Sequence, residues 1–516
     1  MTKQAFVGLA AFALLLVLQV LARPLLPIDE TRYLAVAWEM HLSGDIFHLT
    51  RNFEPYSHKP PLLFWLINLV WLVTGVSEGS GRLIGPAFAV LAVAATQSLA
   101  GRFWPDDRGA PVRATMILAG FTLFAVFGSL TMFDALLTVI VLGGIAVIWR
   151  IGQGQVARQS WLLLGLAFGL GVLAKGPVVL LHLLPVLLAI RLWAPVPPDW
   201  RVLAKGIGVA LGVGLAVACV WLLPALILGD AAFRTDLLWT QSAARVAGTM
   251  GHGRPFWFLI GLMPLILFPW GWSWRLWRGV PDAVRGDPAS RMCLIWAGSA
   301  LLIFSVVGGK QLHYLLPELA AMALLLAHVA GRVTERRGGS AGFVPVLVLG
   351  LAALVVASGV MGRAGALADL VPGGAVAVFG LVCLGLAAAA VRLPQMQAHL
   401  VLGVGLSGAL HGVVLMTALG ETLDTTPIGR ALAAHQDQGM AVTGFSYNAD
   451  FNFTGRLTRP VATPADLPAW AAQHPGGLIV GPVARAGITA PPAQVWRFRG
   501  TEYGAWPADA LVIFRE

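Results

Sequence analysis

Charge is what this sequence has least of. Only 12% of its 516 residues are Asp, Glu, Lys or Arg, 57% are hydrophobic, and the mean hydropathy is +0.77. Soluble domains carry about 25% charged residues, so the balance excludes a soluble fold and points to a polytopic α-helical membrane protein. Cysteine is nearly absent. Cys219, Cys293 and Cys383 fall singly in apolar segments, which excludes a disulfide framework and a cysteine zinc motif. There is no Gly-x-x-x-x-Gly-Lys-Ser/Thr loop and no dinucleotide fingerprint, so no motif binds a nucleotide. No short-period repeat appears, and no two-half symmetry of the transporter kind. The 60 Gly and 32 Pro do not signal disorder, because both are commoner in membrane helices than in soluble ones. The net charge of +10 sits mostly in short loops, as the positive-inside rule expects, and does not indicate nucleic acid.

Those basic loops orient the chain. The Arg102/Arg108/Arg113, Arg150/Arg158, Arg191/Arg201/Lys205, Arg275/Arg278/Arg285/Arg291, Arg332/Arg336/Arg337 and Arg392 groups are expected on the cytoplasmic side, with Lys3. The first apolar stretch, Phe6–Leu26, lacks a small-x-small cleavage site and reads as a retained helix. The loop from Pro27 to Pro61 then lies outside. Two apolar runs follow before the next basic loop, and only one can cross. Pro61–Thr74 is the shorter, 14 residues long, and reads as an interfacial or re-entrant helix. The crossing is Leu83–Trp104. The remaining spans are expected near 112–130, 135–150, 160–174, 177–193, 205–228, 256–275, 292–308, 312–330, 342–361, 373–391 and 399–419. That gives about 13 crossings and an outward C-terminus. The tail from about Glu421 has a different texture. Strand-like runs at 441–445, 478–480 and 511–514 alternate with helix-like runs at 428–438 and 465–473, giving a small α/β domain. The expected division is 1–420 in the membrane, with a catalytic loop over 27–80, and 421–516 outside it.

The loop Pro27–Pro61 holds a dense set of ionisable groups. It starts Asp29-Glu30-Thr31-Arg32-Tyr33, continues through Glu39, His41, Asp45, His48, Arg51 and Glu54, and ends His58-Lys59-Pro60-Pro61. Ionisable groups clustered against a bilayer mark a functional site by default. The same topology brings other helix-end charges to that side: Asp134, Lys175, then Arg234, Asp236, Arg245, His252 and Arg254 of the Gly229–Pro255 loop, and Lys310 with His313 and Tyr314. Singly, Lys175 reads equally as a snorkelling anchor and His313 as a packing residue. Together they suit transfer of a group carried on a lipid phosphate. Lys and Arg can hold the phosphate as it leaves, and a carboxylate such as Asp29 can take a proton from an attacking hydroxyl.

At these residues the chain resembles the GT-C glycosyltransferases of the protein O-mannosyltransferase-like superfamily, and most closely the bacterial branch that includes the aminoarabinose transferase acting on lipid A. The resemblance rests on Asp29-Glu30-x-Arg32-Tyr33, His58-Lys59-Pro60-Pro61-Leu62, Asp134-Ala135-Leu136-Leu137-Thr138, Ala174-Lys175-Gly176-Pro177 and Lys310-x-x-His313-Tyr314-Leu315-Leu316-Pro317. It implies an inverting enzyme of the bacterial inner membrane, with its site and C-terminal domain facing the periplasm. The implied donor is a polyprenyl-phosphate sugar and the acceptor a lipid, a glycan such as lipopolysaccharide, or a protein. Asp29 would be the catalytic carboxylate with Glu30 beside it, and Asp134 a second acid. Arg32, Tyr33 and Lys59 would meet the donor phosphate, with Lys175 and Lys310 as further phosphate contacts. His313 and Tyr314 would line the cavity. Where the aminoarabinose transferase has a glutamate associated with a metal site, this chain has His58. The metal therefore stays open: zinc on His58 with His48, Glu54 or His313, magnesium or manganese, or no metal with cations alone holding the leaving group. The resemblance leaves the sugar, the acceptor and the oligomeric state open.

Three rival readings are a transporter, a ligase and a scaffold. A transporter or flippase of a lipid-linked sugar would need ionisable groups near the bilayer midplane and access from both faces, whereas these charges gather at helix ends on one side. A ligase or polymerase using diphosphate-linked donors would carry large outer loops. A non-catalytic scaffold would have no use for Asp29, Lys59 and Lys310 together.

Overall fold

A computed structural model describes residues 3–237, 253–334, 340–360 and 370–513. Arg245 and His252, and the orienting Arg336 and Arg337, lie outside the described residues. Seven helices among the described residues are long and apolar enough to cross a membrane, from Glu78–Phe103 to Gln395–Met416, and one bent pair makes an eighth. Shorter apolar helices, including Phe6–Leu21, Val178–Leu188 and Phe343–Ala357, fall where further crossings were expected.

Two expected spans are not simple helices. The segment 112–130 breaks into Ala110–Gly120 and Thr122–Gly128, bent by 71°. At the break the Thr122 amide donates to the Phe268 carbonyl (3.2 Å) and the Thr122 hydroxyl to the Gly403 carbonyl (3.2 Å). Neighbouring chain thus satisfies groups the break exposes, the condition for irregular backbone at membrane depth. A Cβ on Gly403 would stand 1.7 Å from the Gly120 carbonyl oxygen, so only glycine lets the helix Gln395–Met416 approach the bend. The segment 256–275 forms short turns, Phe258–Gly261, Met263–Ile266 and Trp270–Trp272, in place of one continuous helix. Pro264 and Pro269 fall within it, and proline supplies no amide to an i→i−4 ladder.

The segment after Pro60-Pro61 is as expected: a helix, Leu62–Thr74, of 13 residues. At 1.5 Å per residue it is about 20 Å long, too short for a bilayer core of about 30 Å. It buries Leu63, Phe64, Ile67 and Trp71 and leaves Leu69, Leu72 and Val73 exposed. One apolar face is turned inward and a second apolar face outward.

The tail folds into a four-stranded sheet in the order 440–442, 478–482, 501–507, 494–498, the first pair parallel and the others antiparallel. Ile428, Leu432, Phe451, Val480 and Phe498 are among its core. The helices Thr426–Ala433 and Leu467–Gln473 match the helix-like runs. The third expected strand, 511–514, is a correction, since Asp509–Ile513 is helical. The strands 494–498 and 501–507 had gone unread. They join through Arg499-Gly500, both at positive φ (51° and 76°), the geometry of a tight hairpin turn normally signalled by Asn-Gly or Asp-Gly.

This sheet domain locks onto the loop that carries the ionisable cluster. Between strands 50–51 and 54–55, Asn52 and Phe53 turn at positive φ (56° and 63°), and the Glu39 carboxylate accepts from both their amides (2.7 and 2.8 Å). Asn52 exchanges two hydrogen bonds with the Val461 backbone (both 2.9 Å). Trp38 donates to the Leu457 carbonyl (2.8 Å), and Trp71 stacks on Phe453 at 5.5 Å.

Candidate active site

Ten of the eleven side chains singled out from the sequence line one cavity of about 780 Å³, joined by Tyr56, Phe127, Phe133, His182 and Phe304 among others. Each reaches it from an element end. Asp29 and Arg32 sit one turn apart at the start of the helix Asp29–Ser43, where the helix dipole favours an anion, and form an ion pair. The Asp29 side chain is 44% exposed, so its carboxylate remains open to the cavity. Arg32 lies 5.2 Å from the Tyr33 ring, and Tyr33 packs edge-on to Phe133 at 4.9 Å. Burial pushes the Tyr33 phenol well above its ordinary pKa, and the Asp29 charge adds to that, so it stays a neutral hydrogen-bonding group. The Lys59 ammonium lies 5.5 Å over the Phe133 ring.

A second charged pair faces this one. Asp134, in the first turn of Phe133–Gly152, is buried and ion-paired with Lys175. Lys175 ends the helix Arg158–Lys175, and Gly176 caps it at a φ of +84° that a side chain would resist. The Lys175 ammonium also lies 4.6 Å over Tyr314, which meets His313 edge-on at 5.0 Å. Arg32, Lys59 and Lys175 therefore approach one space from three separate elements, a set able to hold a phosphate.

Three expectations are corrected by geometry. Glu30 lines the cavity, but its carboxylate is fully engaged. It forms a two-armed pair with Arg23 and accepts from the Thr131 amide (2.8 Å) and the Leu26 amide (3.1 Å). It serves as a structural clamp and has no oxygen left for a proton in flight. Lys310 does not line the cavity. It is buried, with its ammonium on the carbonyls of Arg254 (2.8 Å) and Gly308 (3.5 Å), where it ties two loops together. His58 stacks on Tyr56 at 5.3 Å, and among the described residues no three His, Cys, Asp or Glu side chains converge as metal ligands. His48 packs instead against Phe233 at 5.2 Å. The residues present do not fit a resident metal, so no step is routed through one.

Sequence reading missed a buried pair. His182 lines the cavity and its Nδ1 lies 2.6 Å from Glu318 Oε1. The available signal was one ionisable group in each of two apolar helices, Val178–Leu188 and Leu316–Arg332.

Comparison with known proteins places the chain among relatives. The model of the dolichyl-phosphate-mannose-protein mannosyltransferases matches residues 58–227. The chain is 30% identical over 312 residues to an undecaprenyl phosphate-α-4-amino-4-deoxy-L-arabinose arabinosyl transferase of Pseudomonas paraeruginosa, covering 58% of this chain and 54% of that one. A Pseudomonas aeruginosa transferase of the same name is 30% identical over 348 residues, covering 64% and 60%. The match thus spans little more than half the length of these relatives. The structure of ArnT from Cupriavidus metallidurans bound to undecaprenyl phosphate superposes with a TM-score of 0.77 at 19% identity, covering 98% of both chains. That likeness shows the fold, a polytopic helical architecture.

Proposed function

We propose that this GT-C chain, similar to the undecaprenyl-phosphate aminoarabinose transferases, moves a sugar from an undecaprenyl-phosphate carrier to an acceptor such as lipid A, with inversion at the anomeric carbon. The observation that carries the reading is the convergence of Arg32, Lys59 and Lys175 on a cavity that also holds the half-exposed Asp29. In this reading an acceptor oxygen, of a hydroxyl or a phosphate, attacks the anomeric carbon as the bond from that carbon to the donor phosphate oxygen breaks. The bonding pair leaves with the donor phosphate, where the three cations hold the growing charge, and Asp29 takes the proton of an attacking hydroxyl or positions the acceptor. Tyr33, His313 and Tyr314 shape the wall, and Asp134 keeps Lys175 in place. No cofactor is needed for this displacement.

Our reading also puts thirteen crossings in the membrane domain (1–420) and the cavity, with the sheet domain (421–516), on the periplasmic face of the inner membrane. The one-sided cluster supports a transferase over a flippase, because a flippase needs charge along a path between faces.

The test is sugar release by purified protein from a panel of radiolabelled polyprenyl-monophosphate sugars, with lipid A as acceptor. One sugar should be transferred. Lys59→Ala should lower kcat/KM by about 10²–10³-fold, the cost of removing one charge-stabilising donor. Movement of intact lipid-linked sugar across liposomes, without transfer, would favour the flippase.

A further inference from the structure

A second pocket, of about 370 Å³, lies away from the cavity and takes no part in the transfer. Helix ends build it. Arg113 comes from the first turn of Ala110–Gly120, Gly331 from the last turn of Leu316–Arg332, and Gln395 begins Gln395–Met416. The other ends of these helices lead to the first cavity. Leu316 follows His313 and Tyr314 of its wall, and His411 Nε2 lies 3.5 Å from the Ser129 hydroxyl, next to Leu130 of that wall. The two pockets thus stand at opposite ends of the same helices, and the smaller one lies on the side of the basic loops.

Among the described residues Arg113 is the one charged side chain of this lining. Two of its nitrogens are tied: Nε donates to the Ala327 carbonyl (2.8 Å) and Nη2 to Asp107, which does not line the pocket. Gly331 sets the guanidinium in the wall, because a Cβ there would stand 2.5 Å from Nη2. The side chain stays 20% exposed, and among the described residues nothing accepts from Nη1. A guanidinium does not lose its proton in a protein, so the pocket holds a fixed cation with a donor to spare. Gln395 and Gln397 add amides to the wall, and Met116, Leu276 and Met396 make much of the rest apolar.

Such a lining suits an anionic head with acceptor oxygens and an apolar continuation. The helix Trp274–Gly286 indicates its source. It buries Leu276, Val280 and Ala283 and exposes Trp274, with the Arg278 guanidinium 4.9 Å over that ring. Tryptophan beside arginine on the open face of a short amphipathic helix is the pattern of a membrane–water boundary, and basic pockets between spans at that level take lipid head groups. A soluble anion would gain nothing from the methionines. We propose that this pocket binds the head group of an anionic phospholipid, its phosphate on Arg113 and its glycerol against Gln395 and Gln397, in the cytoplasmic leaflet of the orientation proposed above. A zwitterionic lipid fits less well, because its ammonium meets no carboxylate among the described lining residues.

The test titrates delipidated full-length protein with phosphatidylglycerol or phosphatidylcholine of identical acyl chains and counts bound lipid by native mass spectrometry. Wild type should bind the first phosphatidylglycerol about fivefold more tightly, the worth of one cation facing an anionic lipid. Arg113→Gln should abolish that preference. Gln397→Glu, at an exposed position, should abolish it too by placing a carboxylate at the mouth, and carries the comparison if the Arg113 variant does not fold. Arg278→Gln, outside the lining, should leave the preference unchanged. A preference that survives both pocket variants, or that falls equally in Arg278→Gln, overturns the site and assigns the binding to general surface charge. Free glycerol 3-phosphate that displaces the lipid at equal concentration overturns the lipid as occupant. Sugar transfer is no arm of this test, so its failure leaves the transferase reading standing.

Discussion

Asp29→Asn is expected to lower turnover by about 10²–10⁴-fold, the range for loss of a general base, with no loss of fold. The two parts of that expectation have separate causes. Asparagine keeps the size of the side chain and an oxygen that can still accept from Arg32, so the cation stays in place. It cannot take the proton of an attacking hydroxyl. The ion pair it replaces involves a side chain 44% exposed, and exposed pairs contribute about 0–1 kcal/mol. The thermal midpoint in detergent should therefore match wild type, and KM for the donor should change little beside kcat. Turnover at saturating donor and acceptor checks this. A variant within tenfold of wild-type turnover would remove Asp29 from the chemistry and leave the cavity without its proton acceptor.

Much of this site was legible because its residues stand in short motifs at the ends of apolar runs. Asp29, Arg32, Lys59, Asp134 and Lys175 each interrupt long hydrophobicity, and in a membrane that is information by itself. Their common side followed from loop charge. Roles were harder, because a motif names a residue and not the direction of its side chain. Lys310 sits two residues before Leu312 in a matching motif, yet it turns to the carbonyls of Arg254 and Gly308, 254 being far away in sequence. Asp29 and Glu30 are neighbours and were read alike. Helix geometry sends adjacent side chains about 100° apart, one to the cavity and one to Arg23. His182 and Glu318 are separated by 136 positions, and only the fold brings them together. The broken form of 256–275 was not legible from hydrophobicity, which is that of a span, although Pro264 and Pro269 do not let it be one continuous helix.

The neighbour of Asp29 gives the opposite result. Glu30→Gln is expected to destabilise the protein by about 3–5 kcal/mol, the cost of breaking a buried pair from one side. Glu30 and Arg23 are both 2% exposed, and four donors converge on the two carboxylate oxygens. An amide would turn one oxygen into a donor facing donors and would leave Arg23 charged and unpaired. The damage would spread, because Arg23 also donates to the Ser129 carbonyl (2.9 Å) and Arg82 to the Arg23 carbonyl (3.0 Å). The clamp joins the end of the first helix, the start of the Asp29 helix and the loop before Asp134. The sign of the pH dependence follows. Burial alone would raise the Glu30 pKa, but the charge and bonds of Arg23, the charge of Arg82 and the Thr131 amide together bring it below the ordinary 4.5. A carboxyl held lower in the folded state adds stability above its unfolded value, and that addition is lost as pH falls through the folded value. The gap in thermal midpoint between wild type and Glu30→Gln should thus be full near neutrality and shrink below about pH 4. A glutamine variant as stable as wild type at pH 7, but inactive, would return Glu30 to the chemistry beside Asp29.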